Sequence, residues 1–535
     1  MQKEFISFRE TGYFSSFICD YLDEKQSLKP FFNHFPKIEN FKRQIEEKER
    51  SKELSEANRD VLVSVLKKQY QQVDTSEKTA YNIASLISAN TFTITTGHQL
   101  NLFTGPLYFL YKIISTINLA VALKEAYPNY QFVPVYWMAT EDHDFEEINY
   151  FNFQGKRFRW NKNAKGAVGN LSTDGLDEVF NLFAKDIGRG KNADDIKELF
   201  EQAYIKHNNL TDATRYLANA LFKDYGLVII DGADKALKKQ FVPFMTEELM
   251  HQRAFTEVTQ TNSKISELPD NYTIQVNPRE INLFYLKDGL RERIVAENDT
   301  FKVVNTAISF SKEQLLNEVS THPERFSPNV IMRPLYQEVI LPNLCYIGGG
   351  GELAYWLQLK EYFNEMNVIF PILLLRNSVL IQSKSQAKKL QNLGIPIHDV
   401  FLNRATFINK RVREISNIDI NFSAQKAHLK AQFKALYELA ENTDKSFLGA
   451  VKAQEVKQLN GLDKLEKRLL KAQKRKLSDE VSRMTELQNE LFPNQGLQER
   501  NTNFSEFYLE YGAELIPELV KALNPLKNEF VILNI

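Results

Sequence analysis

Cysteine is almost missing from this sequence: Cys19 and Cys345 are the only two among 535 residues. That count excludes a disulfide framework and a zinc site built from thiolates, and scarce free thiols fit a reducing compartment. Predominantly apolar, uncharged runs of bilayer-spanning length are also missing; the run 368–375 ahead of Arg376 is strand-sized. The N-terminal MQKEFISFRETGYF lacks the apolar segment and small-residue cleavage pattern of a signal peptide. These absences predict a cytoplasmic protein with no membrane partner. Excess charge of either sign is absent, since 67 Lys+Arg against 68 Asp+Glu leave a net charge of −1. No global field draws the chain to nucleic acid or to an anionic surface. Neither a GxxxxGK[ST] loop nor a strand opening onto GxGxxG occurs, which argues against phosphate-loop ATPase chemistry and dinucleotide oxidoreduction.

What is present is ordinary globular composition, 43% hydrophobic and 25% charged, with length for two or three domains. Two short strings stand out. Gly97-His98-Gln99, with Gly105-Pro106 behind it, follows the strand-like run 91–95, and Glu141-Asp142-His143-Asp144 follows the strand-like run 133–140. In an open α/β sheet the carboxyl ends of neighbouring strands face one crevice, where ligands bind. Two ionisable clusters at such ends suggest one active site.

The surrounding pattern supports a parallel sheet covered on both faces. Residues 37–90 read as charged helix, with Leu62, Val65 and Leu66 on one stripe. Pro106 suits a first helical position, and Leu107, Leu110, Tyr111, Ile114 and Ile117 follow at helical spacing. Residues 146–175 predict an inserted hairpin around Gln154-Gly155, and helical pattern resumes over 192–223. Further strands are expected at 226–231, 344–347 and 368–375. Between them, about 253–330 form a second insertion with a hairpin turn at Asp288-Gly289 and a capping box at Ser311 and Gln314. Four glycines, 348–351, lead into a helix near Glu352.

From 422 to 491 glycine is rare and Lys, Glu, Gln and Leu dominate. Leu429, Phe433, Leu436 and Ala440 keep a heptad, as do Leu470, Leu477, Met484 and Leu491, with interruptions at 442–446 and 460–461. Two long antiparallel helices are expected, either a solvated hairpin or an oligomerisation arm. The arm is favoured because a lone helix pair leaves apolar surface uncovered. The expected organisation is a core over 1–421 (insertions about 146–190 and 253–330), a coiled-coil arm over 422–491, and a segment over 492–535 returning to the core.

Four segments carry a family resemblance. GHQLNLFTGPLYFLYKIIS (97–115), WMATEDHDFEEIN (137–149), SPNVIMRPLYQEVILPNLCYIGGGGELAYW (327–356) and NQGLQERNTNF (494–504) resemble, in order, the cysteine ligases of bacillithiol biosynthesis. The resemblance implies an α/β fold with a Rossmann-like parallel sheet, two inserted connecting segments and a C-terminal antiparallel α-helical coiled coil that makes a homodimer. It further implies the last step of that pathway, the joining of cysteine to glucosaminyl malate. Two positions depart from the family's pattern. Asn101 stands where glycine is usual, and 349–351 lacks the proline usual before the Gly-Glu pair.

Amide formation needs an activated carboxylate, an uncharged amine, donors for an oxyanion and cations for the malate carboxylates. His98, Asp142, His143 and Asp144 are the catalytic candidates. For substrate binding the candidates are Thr96, Gly97, Gln99, Tyr108 and Glu141 on the first two strings, and Arg333, Gln337, Gly351, Glu352 and Arg376 further on. His98 could meet an anion or cap its turn; position alone leaves these even, and the resemblance favours function. The acidic quartet could deprotonate the amine, with a carboxyl raised by like charges, hold sugar hydroxyls, or be a solvated loop. A metal is disfavoured, because alternate residues of an extended string point to opposite faces. Arg333 and Arg376 could fork a substrate carboxylate or form salt bridges at the sheet end. The glycines before Glu352 could cradle an anion. Asp231 is read as a helix cap, Cys345 as core, the 464–476 basic stripe as a solvated face, and Ser383-Lys384-Ser385 as only faintly like a synthetase lysine loop. No residue pattern identifies a cofactor, and ATP is one candidate for activating the carboxylate. The competing readings are a nucleotidyl transferase of the same core acting on another acceptor, and a non-catalytic dimeric binding protein.

Overall fold

The computed structural model describes residues 2–51, 54–298, 300–443 and 445–535. The chain forms two compact units, Met1–Leu380 with Gln498–Leu533, and Ile381–Leu497 with Asn534–Ile535. Among the described residues no helix is long and apolar enough to cross a membrane.

The first unit is built on five parallel strands: β1 (Thr91–His98), β2 (Gln131–Met138), β3 (Val228–Asp231), β4 (Asn343–Gly348) and β5 (Ile372–Leu375). Their order is β5-β4-β1-β2-β3. Every residue of β1, β4 and β5 is buried, as a sheet covered on both faces requires. From β1 the chain winds outward to β2 and β3, then returns to the other side of β1 for β4 and β5. Such a reversal opens a crevice at the carboxyl ends of β1 and β4.

The sequence expectation for β5 began at 368, but the ladder starts at Ile372. Pro371 has no N–H to donate and stops the strand there. Helix α1 (Tyr108–Ala126) joins β1 to β2. Pro106 lies just before it rather than at its first position. Phe103 and Thr104 take positive φ, and Phe109 N–H bonds the Pro106 carbonyl at 3.1 Å to close the first turn. Three further helices flank the crevice: α2 (Lys235–His251), α3 (Met332–Ile340) and α4 (Gly350–Trp356).

The hairpin expected in each insertion forms. Tyr150–Phe153 pairs with Lys156–Arg159 across Gln154 and Gly155, whose φ values of 48° and 75° suit a primed hairpin turn. The second insertion contains a five-stranded antiparallel sheet in which Leu283–Lys287 and Leu290–Glu297 turn at Asp288-Gly289, and the Ser311–Gln314 capping box opens the following helix.

In the second unit α5 (Ser423–Glu441) and α6 (Lys445–Lys476) run antiparallel, followed by α7 (Ser478–Leu491). Phe433, Ala440 and Val451 bury together, Tyr437 Oη donates to Glu455 at 2.8 Å, and Lys426 reaches Glu466 at 2.8 Å. The interruption expected at 442–446 lies at the turn between α5 and α6, with residue 444 outside the described residues. The one expected at 460–461 is absent, and α6 runs through it. One glycine inside a helix costs only about 1 kcal/mol, too little to break so long a helix. The chain bends instead at Leu477, so the second heptad is divided between α6 and α7. Met484 and Leu491 of α7 are buried, and Gln488 of that helix bonds the Val400 and Leu402 carbonyls.

Candidate active site

The carboxyl ends of all five strands border one cavity of about 660 Å³. β1 supplies Gly97 and His98, β2 leads into Thr140, Glu141 and Asp142, β3 into Gly232, β4 into Gly349 and Glu352, and β5 into Arg376. The histidine turn and the first half of the acidic quartet therefore share a wall, as their strand-end positions predict.

Gly97 has a steric reason to be glycine. A Cβ there would lie 3.2 Å from the Tyr346 hydroxyl and 3.7 Å from Arg333 Nη1. Beside it His98 is buried, stacked on Tyr108 with ring centroids 5.3 Å apart. Its Nδ1 lies 2.8 Å from the Gln99 carbonyl, which accepts only from an N–H. The hydrogen is thus on Nδ1, and Nε2 offers a buried lone pair without a partner. Burial, helped by the Lys112 charge, pushes the imidazole down to about 3. His98 is neutral and accepting, so it suits an N–H or O–H of substrate rather than an anion.

The acidic quartet divides. Asp142 accepts from Gln99 Nε2 at 2.8 Å and from the His143 N–H at 2.7 Å. Burial opposes its charge, but hydrogen bonds from His143 and Gln99 and the nearby Arg291 guanidinium hold it well below the usual carboxylate range. The raised carboxyl expected from like-charge crowding is thus not found at Asp142, which is a fixed anion rather than a base. Glu141 pairs at 2.8 Å with Lys238 of α2, a fully buried lysine. His143 and Asp144 are exposed and do not border the cavity; His143 Nδ1 accepts from Arg291 at 2.7 Å.

Of the remaining candidates, Gln99, Tyr108, Arg333, Gly351, Glu352 and Arg376 reach the cavity, whereas Thr96 and Gln337 do not. Thr96 is fully buried and ties β1 to β4 through the Ile347 carbonyl at 2.8 Å. Gln337 is fully buried on α3 and holds Arg333 Nη1 at 3.0 Å. Arg333 lies among Trp137, Tyr346 and Trp356, within 6.0 Å of each ring centroid and beside the Tyr355 hydroxyl, and its Nη2 makes no close hydrogen bond. Arg376 is committed elsewhere, forking Glu499 at 3.0 and 2.8 Å. That is the salt-bridge alternative, and it leaves only Nε without a partner. Glu352 closes back on the Gly349 N–H at 2.8 Å, which takes that donor away from any anion cradle.

Three cavity cations escaped the sequence reading. Lys112 of α1 is buried, donates to the Gly97 carbonyl at 2.7 Å and pairs with Glu352 at 2.5 Å. Burial would raise the Glu352 carboxyl, but the Lys112 charge and the Gly349 hydrogen bond hold it below its ordinary value. Lys112 is the only charge between 107 and 123, a signal that could have found it. Arg291, packed 3.9 Å over the Phe284 ring, comes from the second insertion, where charges alternate along a strand and none stands out. Arg500 comes from the C-terminal segment.

A family model for "Bacillithiol biosynthesis BshC, N-terminal Rossmann-like domain" matches residues 1–377, and its partner, the "C-terminal coiled-coil domain", matches 379–535. The chain belongs to the BshC family. Relatives in Flavobacterium johnsoniae (58% identical, 100% of both chains) and Christiangramia forsetii (60% identical, 99% of this chain and 98% of that one) are each named "putative cysteine ligase BshC". The Rossmann-like sheet and the helical hairpin are thus features that this BshC-family chain shares with full-length relatives. Asn101 packs against Gly105 and is buried.

Proposed function

We propose that this chain is a ligase that joins the carboxyl group of cysteine to the amine of glucosaminyl malate, the last step of bacillithiol biosynthesis. Family membership over the whole length supports a cysteine ligase of that pathway. The observation that carries the substrate assignment is Arg333. It is a buried guanidinium at the strand reversal with one nitrogen that makes no close hydrogen bond, in a cavity that Arg291 also borders. Guanidinium groups are the natural mates of carboxylates, and malate brings two. The neutral His98 Nε2 accepts an N–H of the attacking amine. Burial, helped by the Lys112 charge, keeps that imidazole unprotonated. ATP is the activator we assign: a cysteine carboxylate oxygen attacks the α-phosphorus, pyrophosphate leaves, and the amine then displaces AMP.

The test is incubation of the full chain with cysteine, glucosaminyl malate and ATP, with mass spectrometry for bacillithiol. Product with cysteine-dependent exchange of labelled pyrophosphate into ATP is the expected result. Product without exchange would overturn the adenylyl step, and no product would overturn the acceptor assignment.

We also propose that the chain is a homodimer through α5 and α6. Leu439, Val456 and Leu465 are 56%, 51% and 52% exposed on that hairpin, apolar surface that a second hairpin would cover.

A further inference from the structure

A second, smaller cavity of about 270 Å³ opens beside the first. The two share Gln99, Tyr108, Glu147 and Arg500, so a molecule in one touches the edge of the other. The smaller one suits an amino acid better than a sugar or a nucleotide. Its polar groups are of two kinds. Asn101 is 7% exposed, and its Oδ1 is buried without a donor. The Asn101 Nδ2 is already spent on the Glu147 carbonyl at 3.3 Å, which fixes the amide orientation and leaves the oxygen for a ligand. Glu147 is an exposed acid that accepts from Gln99 at 2.9 Å through only one of its oxygens. Opposite in charge is Arg500, exposed and with no hydrogen-bond or ion-pair partner among the described residues. Pro106, Tyr150 and Phe151 add an apolar stretch of wall, beside Asn152 and Asn501.

We propose that this side cavity is the subsite for the amino-acid substrate, a zwitterion with a small, weakly polar side chain. Its ammonium bonds Asn101 Oδ1 and Glu147, its carboxylate faces Arg500, and its side chain lies on the aromatic wall. Charge-assisted hydrogen bonds of this kind are the stronger ones, and a buried amide oxygen left without a donor is a standing penalty that an ammonium relieves. Because Arg500 borders both cavities, this pose puts the carboxyl carbon at their junction, where an amine held in the larger cavity reaches it. The assignment rests on the ligase reading above. It makes Asn101 a specificity-determining residue of this chain.

The test uses Asn101→Leu, which removes the acceptor at similar volume, and Arg500→Gln, an exposed change that leaves packing intact. Cysteine binding to the full chain is measured by titration calorimetry, and KM values are measured for both substrates. Each variant is expected to weaken cysteine roughly tenfold or more, and Asn101→Leu, which does not border the larger cavity, to keep the KM for glucosaminyl malate within twofold of the parent. Two fragments of cysteine separate the charges. Cysteamine, which lacks the carboxylate, should lose affinity only in Asn101→Leu, and 3-mercaptopropionate, which lacks the ammonium, only in Arg500→Gln. Bacillithiol formation with an unchanged cysteine KM in both variants would overturn the subsite and leave the ligase reading standing. Saturable cysteine binding lost in both variants, in a chain that forms no bacillithiol, would overturn the acceptor and keep the subsite.

Discussion

At the scale of the residue, the site is governed by which groups are already satisfied. Arg376 and Arg333 look alike in sequence, each near the end of a regular element. Arg376 is neutralised by a fork to Glu499, whereas Arg333 keeps a nitrogen without a close hydrogen bond among three rings. His98 carries a measurable consequence. Its folded value is near 3 against an ordinary 6.5, so the unfolded chain binds the proton more readily. Stability that is complete above pH 6.5 is therefore lost as pH falls toward 3, by about 2 kcal/mol at pH 5. Denaturant unfolding at pH 7.5 and pH 5 should show that loss in the parent and a smaller one in His98→Asn, which cannot take up the proton. Equal losses in the two proteins would show that His98 is not held neutral. Keeping the measurements above pH 4.5 avoids Asp142, whose titration lies lower and acts in the same direction.

At the scale of the element, periodicity was a good guide to existence and a poor one to limits. β1, β2, β4 and α1 were legible because apolar runs and helical spacing reflect burial directly. Pro371 shortened β5, and the positive φ values at Phe103 and Thr104 delayed α1, because backbone constraints of single residues act below the resolution of a periodic pattern. In the hairpin the opposite error occurred. Asn460-Gly461 has the composition of a break, yet α6 continues through it, since tertiary pairing with α5 outweighs one glycine's propensity. A Cβ at Gly461 would meet nothing within 4 Å. Gly461→Ala should therefore stabilise the helical unit by about 0.5–1 kcal/mol. A rise in its denaturation midpoint by circular dichroism would show this, and an unchanged or lower midpoint would mean that the helix is not continuous there.

At the scale of the whole molecule, the chain leaves the sheet-containing unit near Leu380, forms the helical unit, and returns at Gln498 to complete the first. The return matters chemically, because Glu499 neutralises Arg376 and Arg500 borders both cavities. The proposed dimer belongs to this scale. A chain lacking 422–476 keeps α7 and the return segment, and should elute as a monomer by light scattering while the full chain is a dimer. An unchanged mass would place the interface elsewhere.

The sequence by itself determined the fold class, the two insertions, the helical hairpin and the family, because these rest on periodicity, turn chemistry and strings of consecutive residues. It also named His98, Asp142, Glu141 and Arg333, whose positions beside strand ends or helix starts bring them to the crevice. Only the tertiary structure decided their states: a neutral His98, an ionised Asp142, a committed Arg376, and Thr96 and Gln337 turned away from the cavity. It alone brought in Lys112, Arg291 and Arg500. The physical reason is that charge state and free hydrogen-bonding capacity depend on neighbours in space, and most of those partners lie far apart along the chain, from 15 residues between Lys112 and Gly97 to 240 between Lys112 and Glu352.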